Sequence, residues 1–326
     1  MCNYEEVMFC GHKCLRMYND TVELFVTIDM GPRILGYNLL GKENLFCVLE
    51  DGQGHFEGEE FDNYYWPGAS HDTTGGHRIW LAPEKSPETY YPDNTPVRYE
   101  LRDASWTVFG KSMFFIPEPQ KGNDMQIILD VEFMGGSKIK VHHRVTNLAP
   151  YTREMAIWGI TMMNMNGVEL VKHNSFDNGF LPNRKISLWS YSDSTDKRFI
   201  NTTKYMGIKP DTNAETPFKF GTDPRKGEAV YCSGDQVFIC RFPTYHNSER
   251  YVDNDCSFES YTSNCVMELE TLDCIREFKG GREIDFKIIW EIVDNPGTPD
   301  ITNDDDIDRF WDTTVKPMLD KDLKTR

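Results

Sequence analysis

The chain contains no apolar run approaching the roughly 20 residues a helix needs to cross a bilayer. Met1 to Lys13 is polar and acidic, without an apolar segment ahead of a small-residue cleavage site, so no secretory leader is expected. Positive charge is scarce: 35 Lys and Arg stand against 52 Asp and Glu, a net charge of −17 over 326 residues. A nucleic-acid partner needs clustered Lys and Arg to replace counterions, so none is expected, and docking to an anionic membrane is disfavoured. The balance points to a neutral or cationic ligand; an anionic one would need local cations such as Arg78. The nine cysteines are odd in number and lack paired spacing. Cys10 and Cys14 are the nearest pair, and nothing else completes a zinc quartet. Reduced thiols in a cytoplasmic protein, with no metal and no other cofactor, are the expectation. His-Glu-x-x-His and Gly-x-Ser-x-Gly are both absent, which argues against a zinc hydrolase and a serine hydrolase.

Helical periodicity is nearly missing too. Only the tail has it: Asp304-Asp305-Asp306 suits a helix N-terminus, and Ile307, Phe310, Trp311, Val315, Met318 and Leu319 repeat at helical spacing. A helix over about 303–322 is predicted, kinked or shortened by Pro317. The rest reads as short strands between turns. Val22 to Ile28 and Arg33 to Leu40 flank Gly31-Pro32, and Met125 to Phe133 and Lys138 to Asn147 flank Gly135-Gly136-Ser137, a hairpin signal. In the second of these hairpin strands, His143 shares the apolar face of Ile139, Val141 and Val145, whereas His142 sits on a cationic, solvated face. The apolar segment Glu154 to Asn166 is taken as strand because strands surround it. A dozen or more strands with one terminal helix, unbroken by a linker, predict an all-β fold. Residues 1–326 read as one large antiparallel β-sandwich.

What is present is chemistry in two stretches. Gly75-Gly76-His77-Arg78-Ile79-Trp80-Leu81-Ala82-Pro83-Glu84 combines a flexible glycine pair with a proton donor, a fixed cation, a flat apolar ring and a carboxylate, the groups a small polar ligand needs. The alternative is a short core strand with Ile79 and Leu81 buried. Val266 to Leu272 is the other. Alternation puts Glu268 and Glu270 on one face, ~6.6 Å apart at ~3.3 Å per residue, and Met267 and Leu269 on the other. Two acids on a sandwich strand open that face either to solvent, as ordinary surface charges, or to a ligand.

Leu269-Glu270-Thr271 resembles the strand that carries the catalytic glutamate in aldose 1-epimerases (galactose mutarotases) and hexose-6-phosphate epimerases. Val26 to Ile34 followed by Glu43-Asn44-Leu45-Phe46 is similar to the first hairpin of that superfamily, and Gly75 to Glu84 to the signature of one of its less characterised branches. The resemblance spans about Thr21 to Val293. It implies a two-layered antiparallel β-supersandwich that binds a small-molecule carbohydrate on one sheet. Mutarotation takes a proton from the anomeric hydroxyl and gives one to the ring oxygen. In that family a glutamate is the base and a histidine the acid, so Glu270 takes the base position. Family members carry the histidine in the strand that corresponds to Ala156–Thr161, where this chain has none. His77 is the replacement candidate, with Arg78 holding a hydroxyl or phosphate oxygen, Trp80 stacking on the sugar, and Glu84, Glu268, Arg241 and His246 as further ligand contacts. Glycoside hydrolysis by two carboxylates is a further possibility. A catalytically silent carbohydrate-binding protein is the chief rival, and the missing central histidine favours it.

Overall fold

A computed structural model describes residues 2–49, 53–103, 110–245 and 250–323, with the backbone alone for 320–323. Two large sheets, antiparallel throughout, face each other. The first has eleven strands. It runs from Asn3–Phe9 and His12–Tyr18 through Val22–Thr27, Ile34–Leu39, His77–Ala82, Arg153–Met163, Met267–Leu272, Phe258–Thr262 and Phe218–Thr222 to Ser187–Leu188, and Arg276–Phe278 pairs with Arg153–Met163. The second has ten: Phe199–Asn201, Tyr205–Ile208, Val168–Lys172, Glu228–Ser233, Gln236–Arg241, Glu283–Asp294, Lys138–Asn147, Met125–Gly135, Lys111–Ile116 and Arg98–Asp103.

Period-two alternation decides which side chains fill the space between the sheets. Ile79, Ile157, Met267 and Leu269 point inward from the first sheet to meet Val141, Phe238, Phe286 and Trp290 of the second. Each large side chain so buried contributes ~1.5–3 kcal/mol. A second apolar layer lies on the far side of the ten-stranded sheet. There Leu170, Tyr205 and Ile239 receive Ile307, Phe310, Trp311 and Val315 from the C-terminal helix. The predicted amphipathic stripe is therefore packing, and Asn303 caps the helix by accepting from the Asp305 N–H. Pro317 does not kink it in the expected way. Residues Trp311–Val315 form a π turn ahead of the proline, and helix resumes over Lys316–Leu323.

The glycine pair at the start of the His77–Ala82 strand sets how that strand enters the sheet. Gly75 and Gly76 have φ of +102° and +64°, and a Cβ would stand 2.3 Å from the Cys47 carbonyl oxygen or 2.2 Å from that of Ile34. Only glycine allows this approach, and it lets the Gly76 N–H donate to Cys47 O while Gly76 O accepts from Met162. His142 departs from the sequence expectation. It is buried, not solvated, with Nδ1 3.0 Å from Asp130 and Nε2 2.7 Å from Asp285, carboxylates that replace the water it lost. No disulfide joins the cysteines among the described residues.

Candidate functional site

Three neighbouring strands carry the polar outer face of the eleven-stranded sheet. In register, Ile160 pairs with Arg78 on one side and Glu270 on the other, and Glu270 pairs onward with Glu259. Arg78 and Glu270 thus stand two strand spacings apart, ~9.5 Å between backbones, with the short Ile160 side chain as the floor between them. The next row along holds Trp80, Trp158 and Leu272, and the row on the other side Glu268, Tyr261 and Lys219.

Glu270 is the centre of this face. None of its surface is exposed. Its Oε2 accepts from Trp158 Nε1 at 2.9 Å and from Lys219 Nζ at 2.8 Å. Its Oε1 has no hydrogen-bond partner among the described residues. Burial raises its pKa to about 7 against the opposing pull of Lys219, with Glu268 adding to the rise. Lys219 also lies 2.7 Å from Glu259 Oε2. Burial alone would lower the lysine's pKa, but the two carboxylates more than offset it and hold it charged. One ammonium cannot neutralise two carboxylates, and burial keeps Glu259 protonated well above the usual carboxylate range. The cluster is then one cation, one carboxylic acid and one carboxyl poised near neutrality.

Aromatic rings wall the face. Trp80 and Trp158 meet at 5.7 Å between centroids, Tyr90 packs on Trp80 at 4.8 Å, and Lys219 lies over both Trp158 and Trp189. The Arg78 guanidinium sits 4.1 Å over Trp80 and donates from Nη2 to Glu268 at 2.9 Å, and its Nε and Nη1 have no partner among the described residues. His71 borders Trp80 at 5.7 Å, with Nδ1 on the Tyr91 carbonyl and Nε2 without a partner among the described residues. Burial lowers its pKa to about 4 and keeps it neutral. A buried polar atom without a partner costs ~1–3 kcal/mol. Unpartnered acceptor and donor atoms along one face are therefore what a hydroxyl-rich ligand would satisfy.

Of the residues singled out in the sequence, Glu270, Glu268, Arg78 and Trp80 come together here. Glu84 lies two residues beyond the strand, exposed, where it accepts a hydrogen bond from the Tyr90 hydroxyl. His77 does not join them. Strand alternation turns it to the other side, into the space between the sheets, where Nδ1 meets Thr161 Oγ1 at 2.9 Å and Nε2 meets His143 Nε2 at 2.8 Å. Its ring also stands edge-on to Trp290. Burial and the neighbouring His143 hold its pKa well below the usual histidine value. It cannot touch a ligand that touches Glu270, and its candidacy as the acid is corrected to that of a core histidine. Arg241 is corrected as well: it is on the ten-stranded sheet, 3.6 Å from Glu291 on the side away from the shared core. His246 lies outside the described residues.

Lys219 and Glu259 were missed, although the sequence carried a signal for both. In Phe218-Lys219-Phe220 and Phe258-Glu259-Ser260 a lone charge interrupts a short strand whose neighbours point to the core. That pattern requires the charge to face the opposite side of a buried sheet, where it needs a partner. No three-residue grouping of His, Cys, Asp and Glu suited to a metal occurs among the described residues.

No protein-family model matches the chain, and no curated protein matches it in sequence. Solved structures do match in fold. A protein from Klebsiella pneumoniae provisionally named an aldose 1-epimerase superposes with a TM-score of 0.59 at 12% identity, covering 97% of this chain and 87% of that one. A protein from Salmonella typhimurium provisionally named a mutarotase gives 0.52 at 9% identity, covering 89% and 94%. A galactose mutarotase-like protein from Clostridium acetobutylicum gives 0.51 at 10%, covering 90% and 98%. At such identities the likeness shows the fold, which is a galactose mutarotase-like β-sandwich.

Proposed function

We propose that the protein binds a neutral aldose on the outer face of the eleven-stranded sheet and interconverts its anomers, as an aldose 1-epimerase does. The observation that carries this reading is Glu270, a buried carboxyl with a pKa near 7 and one unpartnered oxygen, framed by Trp158, Trp80 and Arg78. A group that titrates near the working pH is the best compromise between being deprotonated and being basic. The sugar's apolar face lies on the indoles, and Arg78 and Glu268 hold its hydroxyls. Glu270 Oε1 takes the anomeric proton. The ring oxygen receives a proton from Glu259, the carboxyl of the cluster that keeps one at neutral pH. The C1–O5 bond opens to the aldehyde, the carbonyl end rotates, and closure returns both protons.

A silent sugar-binding protein is the second reading. Two observations favour it: His77 lies on the wrong side of its strand, and Lys219 already engages Glu270. An anomer-exchange assay by NMR over a panel of aldoses separates the two. General acid–base groups contribute ~10²–10⁴-fold, so Glu270→Gln abolishes most exchange while the carboxamide still binds sugar. Because Glu270 acts as its carboxylate, wild-type exchange rises with pH through about 7. No acceleration of exchange for any aldose that binds leaves the silent binder standing.

A further inference from the structure

A chain with a net charge of −17 gathers cations around one cavity of about 490 Å³. It lies where the Val168–Lys172 strand of the ten-stranded sheet ends, beside the C-terminal helix, and has no part in the face around Glu270. Five cationic side chains, Lys172, Arg184, Lys204, Arg225 and Lys226, line it against two carboxylates, Glu228 and Asp308. Lys204 is neutralised by Asp308 at 2.5 Å. The Lys172 ammonium is held differently. It has no ion pair among the described residues and sits half-buried over two rings, 4.6 Å from Trp311 and 5.5 Å from Tyr205. Burial and the nearby Lys226 depress its pKa against the opposing pull of Asp308, Asp312 and Glu228. Neither Arg184 nor Lys226 has an ion pair among the described residues.

The cavity is built rather than incidental. Asn174 ties its two loops together, donating from Nδ2 to Asp223 O at 2.8 Å and accepting from the Arg225 N–H at 2.9 Å. Arg225 is thereby held with its guanidinium 4.0 Å over the Phe176 ring. Mutually repelling cations on a fixed frame cost free energy until an anion sits among them. The volume is that of a small-molecule pocket, too small for a folded partner. Arginine and lysine around one cavity match a phosphate's several acceptor oxygens.

We propose that this cavity binds a phosphorylated small molecule, with Lys172, Arg184 and Lys226 on the phosphate and Phe176 against the rest. The site stands independently of the sugar reading.

The test is calorimetric titration of the full chain with inorganic phosphate, glucose 6-phosphate and AMP, with adenosine and glucose as unphosphorylated controls. Trp311 beneath Lys172 provides a second, fluorescence readout. The expected result is saturable binding of a phosphorylated probe that weakens as salt rises. Arg184→Gln with Lys226→Gln, both exposed, should weaken binding about tenfold or more, as loss of charge-assisted hydrogen bonds does. Lys172→Met keeps the stem over the rings and should do likewise. Lys121→Gln, an exposed cation elsewhere, should leave affinity unchanged. The proposal is overturned by absence of saturable binding to all three phosphates, by equal affinity in the Arg184/Lys226 double variant, or by an equal loss in Lys121→Gln.

Discussion

Replacing Lys219 by methionine keeps most of the side chain's volume and removes one charge from between two buried carboxyls. In the wild type that ammonium lies 2.7 Å from Glu259 and 2.8 Å from Glu270, and all three groups are almost entirely out of solvent. The rise of the Glu270 pKa from 4.5 to about 7, with Lys219 in place, already corresponds to roughly 3 kcal/mol against its charged form. Without the ammonium that cost grows, and both carboxyls keep their protons to higher pH. A folded-state pKa raised above the unfolded value gives stability that is present below the unfolded pKa and lost as pH rises through the folded one. The variant's deficit must therefore widen with pH. At about pH 5 both carboxyls are protonated and the deficit should stay below ~1 kcal/mol. At about pH 8.5 it should reach ~3–5 kcal/mol, the usual result of leaving a buried charge without its partner. Urea unfolding followed by tryptophan fluorescence at the two pH values measures it. A deficit equal at both, or below ~1 kcal/mol at alkaline pH, would refute the shared-ammonium cluster.

Two further predictions test how the strand beside it is built. His77→Asn should cost ~1–3 kcal/mol of stability by unpairing His143, yet leave anomer exchange per folded molecule unchanged; a selective loss of exchange would return His77 to the site. Gly76→Ala drives a Cβ against the Ile34 carbonyl at a φ of +64° and should lower stability by more than ~1 kcal/mol, read as a drop in the thermal midpoint.

Alternation alone made much of this legible. It put Glu268 and Glu270 together, sent Met267 and Leu269 to the core, and placed His143 in apolar packing, all as found. It also turns His77 away from Arg78 and Trp80, and only a strand start distorted by the glycine pair would bring all three to one ligand. The pair instead brings the strand into regular register, so the alternation holds. His142 was misjudged because period two tells which side a residue faces, not whether that side is covered; Asp130 and Asp285 cover it. The cation of the Glu270 cluster comes from a strand 51 residues earlier in the chain. Pattern within one strand could show that Lys219 faces away from the core, but not which acids it would meet.

The His77–Ala82 strand divides its labour by parity. His77, Ile79 and Leu81 hold the two sheets together, and Arg78 and Trp80 present chemistry to the other side, separated by the thickness of one backbone. Substitution at the even positions therefore acts on the outer face and on the Arg78–Glu268 pair, and substitution at the odd ones on the packing between the sheets. Insertion or deletion of a single residue would exchange the two sets at a stroke. In any redesign of this scaffold, the length of the strand is therefore a stricter constraint than the identity of any one of its residues.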